Sequence, residues 1–149
     1  MLNRLIKFNF APSYIDSGLL VLRVFTALSL FIKHGIEKVF TFQQMSGHFS
    51  DPWHIGSVPT LVIAMIADGI FSVFIMLGLA TRYCCIYVWS VIFVAWSFRH
   101  EFSYLGKGTV GDHGELIILY LIAFTAIFLM GPGRYSLDAL LMGKLVKEG

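Results

Sequence analysis

"LSLFIKHGIEKVF", residues 28–40, begins as a membrane-spanning helix and is broken midway by Lys33, His34, Glu37 and Lys38. The apolar run before it reaches back to about residue 16. A helix needs about 20 mainly apolar residues to cross the hydrocarbon core of a bilayer. Each ionisable group near the centre of such a span costs roughly 2.5–3.5 kcal/mol. Four of them within little more than one turn therefore need partners, and those partners must come from other spans.

Three further stretches have spanning length, at about 58–80, 82–100 and 113–131. Hydrophobic residues make up 57% of the chain and charged ones 13%, against roughly 25% charged in soluble domains. Little sequence remains for a soluble domain. Barrel strands would alternate polar and apolar residues over about ten positions, whereas these runs are continuously apolar. The expectation is an all-α integral membrane protein, a single membrane domain over residues 1–149 built as an antiparallel bundle of four transmembrane helices. An amphipathic segment over 1–15 would lie at the interface, and 132–149 would form a tail.

The net charge of +2 and the absence of a basic, aromatic-interleaved cluster exclude a nucleic-acid partner. The partners expected are the lipid bilayer, a redox partner subunit and a second copy of the chain. Cys84 and Cys85 are adjacent, without the C-x-x-C spacing of thiol–disulfide exchange; they read as small hydrophobes that face lipid or pack, with acylation near the membrane surface as the alternative.

With four spans, both termini share one side. That side carries Arg4, Lys7, Arg82, Arg134, Lys144 and Lys147, against Lys33, Lys38, Arg99 and Lys107 opposite. The excess of basic residues in short loops places both termini in the cytoplasm. The connection "LGLATRY" is so short that spans 2 and 3 must be antiparallel neighbours. Span 1 ends in "FIKH" and span 3 in "SFRH"; span 2 ends in "FIMLGLATRY" and span 4 in "IFLMGPGRY". These echoes suggest two tandem helix hairpins.

Depth then decides which polar groups can meet. His34, Glu37, Lys38, His100, His113 and Glu115 all fall at the outer end, Asp68 lies deeper, and Arg23 lies in the inner half. A polar pocket open to the outer side is expected, with Arg23 and Asp68 as a buried pair beneath it. Duller roles compete: Lys33, Lys38 and Arg99 can snorkel to the interface, and Asp112 with Glu115 fits an N-terminal capping box. A quinone suits the pocket. Its oxygens want an imidazole and an acid for proton exchange, with His34, His100, Asp68 and Glu115 as candidates. Arg23 and Lys38 would steady anionic species. Phe31, Phe93 and Trp96 would supply an aromatic wall. Three imidazoles with a carboxylate could instead hold a transition metal, although no single helix shows a metal-binding spacing, and no metal ligand is assigned.

Three stretches also carry a resemblance. "LLVLRVFTALSLFIKHGIEKVF" resembles the first span of DoxX-type membrane proteins, with its L-x-R and H-G-x-x-K pattern. "IADGIFSVFIMLGLATRY" is similar to their second span, in which the acid is commonly Glu rather than Asp68. "GDHGELIILYLIAFTAIFLMGPGRYSLDAL" resembles their fourth. The resemblance covers about residues 16–140 and places Arg23, His34, Gly35, Lys38, Asp68, Arg82, Glu115, Arg134 and Asp138 on patterned positions. It implies a four-helix bacterial inner-membrane protein, related to the DoxD-type subunit of thiosulfate:quinone oxidoreductase or to membrane partners in thiol and oxidative-stress handling. The expected function is a quinone-interacting redox subunit, part of an oxidoreductase. A membrane scaffold, a small transporter subunit and a metal-handling protein are the alternatives.

Overall fold

The computed structural model describes residues 12–99 and 114–141. Among them the chain is helical, without strands. Three helices are long and apolar enough to cross a membrane: Tyr14–Phe40, Ser57–Leu77 and Thr81–Phe98. The fourth expected span corresponds to Gly114–Met130, an apolar helix of 17 residues. The first helix packs on the second and the fourth, and the third also packs on the second and the fourth. In lipid no hydrophobic force drives helices together, so close packing through small residues has to do it. Ala27, Ala67, Ser72 and Cys85 accordingly show no exposed surface.

Two of the helices are not regular. The first opens into a π-helical turn at Phe31–Ile36 before resuming as Glu37–Phe40. The second does the same at Ile66–Phe71. A π-turn carries an extra residue, turns the following side chains onto a new face, and is often found at functional positions. The Ser72 hydroxyl donates to the Ala67 carbonyl, five residues back, at 3.3 Å. The two irregular turns lie against each other. A Cβ on Gly35 would sit 2.6 Å from the Asp68 carbonyl oxygen and 3.1 Å from its carbon, so only glycine allows this approach.

Residues 132–141 close one end of the helices. Arg23, only 1% exposed, donates through Nη1 to the Pro132 carbonyl and through Nη2 to that of Tyr135 at 2.6 Å. Its Nε has no partner among the described residues. Gly78 ends the second helix at φ 73°, and a side chain there would strike Ser136 and Arg23. The Asp138 carboxylate accepts from the Ala80 amide at 2.8 Å and the Thr81 amide at 3.2 Å. It thereby satisfies donors left open at the start of the third helix. Residues 132–141, the described part of the segment expected as a tail, thus lie over the helix ends; the rest of it lies outside the described residues. The interfacial segment lies largely outside the described residues.

At the opposite end, the connection before the second helix is organised by Asp51. Its carboxylate accepts from the Ile55 amide at 3.1 Å, the Gly56 amide at 2.7 Å and the Thr60 hydroxyl at 3.0 Å. Desolvation acts to raise its pKa, but the bonds from Gly56, Thr60 and Ile55, with the charge of His54, outweigh it. The carboxyl is held below its ordinary 3.8.

Two predictions follow from this architecture. Gly35→Ala should separate the two π-turns and lower stability by about 1–3 kcal/mol, whereas Gly69→Ala, with nothing within 4 Å of its added Cβ, should leave it level or slightly raised. Thermal unfolding in mild detergent compares them, and equal effects would remove the close-approach argument. Asp51 titrates lower folded than unfolded, so its contribution is complete above the unfolded pKa and lost as pH falls through the folded one. Asp51→Asn should flatten the acid limb of the stability profile below about pH 4; an unaltered limb would show that the capping bonds contribute nothing.

Candidate functional site

Past the π-turns, a cavity of about 460 Å³ lies among the helices. The first helix contributes Leu30, Lys33, His34, Glu37 and Lys38 to its lining, and the second Ala64 and Asp68. Val91, Ile92 and Ala95 of the third helix and Leu116, Ile117 and Tyr120 of the fourth complete most of the wall. Small-molecule sites run from roughly 300 to 1,000 Å³ with few polar groups on an apolar wall. This chamber has that character.

Its polar centre is an ion pair. Lys38 Nζ donates to Asp68 Oδ2 at 2.6 Å, with side chains 12% and 9% exposed respectively. The same ammonium donates to the His34 carbonyl at 3.3 Å. Each charge alone would be costly in a span, and each offsets the other's cost. The π-turns explain how they meet. Gly35 brings the backbones together at Asp68, and the next turn of the first helix then carries Lys38 across the second.

This corrects the expected pairing of Arg23 with Asp68. Arg23 lies at the other end, held by the Pro132 and Tyr135 carbonyls, and does not line the cavity. A straight-helix reading could not foresee two successive irregular turns or the return of residues 132–141.

The other candidates divide. His34 lines the chamber, with its ring edge-on to that of Tyr120 at 6.4 Å. Glu115 is exposed in the first turn of the fourth helix, away from the lining. Phe93 stacks on Trp89 at 5.0 Å and meets Trp96 edge-on at 6.3 Å, a ladder along the third helix that does not form the wall. Aliphatic residues form it instead, with Met45, Phe49 and Tyr120. His100 and His113, together with Asp112 of the expected capping box, lie outside the described residues. Tyr120 was not singled out from sequence. Its signal was present, a lone hydroxyl in the apolar run "LIILYLIAF". Its hydroxyl lies 2.8 Å from Ser29 Oγ.

The DoxX family model matches residues 18–101, which include both π-turns and the Lys38–Asp68 pair. The chain belongs to the DoxX family. An uncharacterized protein of Haemophilus influenzae is 29% identical over 135 residues, covering 85% of this chain and 86% of that one. No solved structure matches the chain. Family membership and the apolar helices together make this DoxX protein a membrane protein.

The ion pair of this DoxX protein can be tested by itself. Removing one partner of a buried pair leaves an uncompensated charge and costs about 3–5 kcal/mol. Lys38→Met and Asp68→Leu should each destabilise on that scale, and the double variant should recover most of the loss. Thermal unfolding of all four proteins measures the coupling; additive losses would show that the two side chains act independently.

Proposed function

We propose that this protein is a quinone-interacting redox subunit of the bacterial inner membrane. Its four apolar helices cross as an antiparallel bundle, with both termini cytoplasmic and the chamber toward the outer face. The observation that carries the reading is the chamber itself. An imidazole and a bridged Lys38–Asp68 pair line a largely apolar space of about 460 Å³, with the Tyr120 ring in its wall. Leu30, Ile92, Ile117 and Val91 offer dispersion contacts to a flat apolar ring. His34 would hydrogen-bond its oxygens, while the Tyr120 ring forms part of the wall and its hydroxyl meets Ser29.

Reducing a quinone to its quinol takes two electrons and two protons. The electrons come from a redox partner subunit or a small reductant such as thiosulfate or sulfide. The chain's own residues handle the protons. Asp68, bridged to the Lys38 ammonium, holds a negative charge within the apolar wall, and the ammonium spreads that charge. His34 would pass a proton between the chamber and its mouth, because an imidazole has one nitrogen that donates and one that accepts. Lys33 and Glu37, both exposed, line the same mouth and give it water access. Arg23 contributes from a distance by closing the far end of the helices.

Protein purified in mild detergent should carry co-extracted quinone, detected by solvent extraction and mass spectrometry. It should also bind a tail-less quinone with quenching of tryptophan fluorescence. His34→Ala and Asp68→Asn should weaken that binding at least about tenfold, the scale of one lost hydrogen bond to a charged or buried group. With its partner restored, thiosulfate or sulfide should reduce the quinone. No bound quinone, no binding and no turnover would overturn the proposal.

A further inference from the structure

A ligand chamber inside a membrane protein needs an entrance, and at one wall a lining side chain bonds directly to an exposed residue of the neighbouring helix. Tyr120 is only 8% exposed and lines the chamber. Its ring packs on Phe124, which has no exposed surface, at 6.3 Å. Its hydroxyl nevertheless reaches Ser29 at 2.8 Å, and Ser29 is exposed. Ser29 shares a helical stripe with Phe25 and Ile32, exposed by 66% and 56% at the i, i+4, i+7 spacing of one face. That stripe is apolar apart from Ser29, as a lipid-facing surface should be. The Tyr120 side chain thus runs from the chamber to the lipid-facing side of the first helix, through the seam between the first and fourth helices.

We infer that this seam is the lateral portal of the chamber, and that the Ser29–Tyr120 hydrogen bond is its latch. This rests on the quinone reading and narrows it to a quinone with a long apolar tail. The tail stays in the bilayer, leaving the chamber beside Leu30, Leu116 and Ile117, apolar lining residues contributed by the two helices of the seam. Passage through water would cost such a tail about fourfold in partition for every methylene, so entry from the lipid is the favourable route. The latch is weak enough to open. Hydrogen bonds between helices in membranes bias an equilibrium by about threefold on average. Ser29 does not line the chamber, so changing it alters the door and leaves the room intact.

The test compares a long-tailed with a tail-less quinone by stopped-flow tryptophan fluorescence, using protein in lipid nanodiscs. Ser29→Ala should raise the association and dissociation rates of the long-tailed quinone together, by about threefold, with Kd within twofold of wild type. The rates of the tail-less quinone, which enters through the polar mouth, should not move. Ser29→Phe, bulky on the lipid-facing stripe, should slow the long-tailed quinone alone. If both quinones bind and the Ser29 variants leave the long-tailed rates unchanged, or shift both quinones equally, the portal is overturned while the chamber reading stands. Binding of neither quinone to the wild-type protein overturns both.

Discussion

The close contact between two irregular turns organises the site. Gly35, in the π-turn of the first helix, lies against the Asp68 carbonyl in the π-turn of the second, where a Cβ would come within 2.6 Å. Backbones that approach this closely hold their helices in one register, since any side chain would wedge them apart. The register is what brings Lys38 to Asp68 at 2.6 Å. The ion pair in turn holds the ammonium beside the His34 carbonyl. A regular helix would have carried Lys38 onto a different face, leaving two charges without partners in apolar surroundings. The irregularity is the means by which the site is affordable at all.

The two ends of the molecule use polar groups for opposite purposes. Around Arg23 polar groups serve internal contacts: two carbonyls take the Nη groups of the guanidinium, and Asp138 takes the amides that open the third helix. Around His34 the polar groups face a chamber instead, and Lys33 and Glu37 remain exposed at its mouth. Cation, acid and glycine therefore mean different things at the two ends. The Gly-rich turn "GPGRYSLDAL" closes the structure, while "KHGIEK" opens it.

Much of this was legible in the sequence. Apolar run lengths gave helix limits within a few residues, because burial in lipid demands continuous hydrophobicity over a fixed thickness. The cost of ionisable groups in a span identified His34, Lys38 and Asp68, all of which line one space. Two features were hidden. The π-turns depend on tertiary contact, and nothing local in "FIKHGI" or "IADGIF" distinguishes them from ordinary helix. The partner of Arg23 was a set of backbone carbonyls, and carbonyls are the same at every residue, so no side-chain pattern announces them. The echo between "FIKH" and "SFRH" does not extend to helix geometry: the first helix breaks into a π-turn there, while Thr81–Arg99 continues regularly.

The same geometry separates the routes by which protons and an apolar ligand would reach the chamber. Protons need water, and the water-accessible groups are Lys33 and Glu37, one turn from the buried pair. An apolar ligand needs lipid, and at Tyr120 the chamber lining bonds to the exposed Ser29. His34 stands between the two, its ring edge toward the phenol and its backbone carbonyl toward the ammonium. One residue would then be in reach of whatever arrives from either direction. A chamber fed by two phases, as proposed, would need a proton-exchanging group within reach of both. The first helix supplies it from the stretch that also carries the glycine of contact.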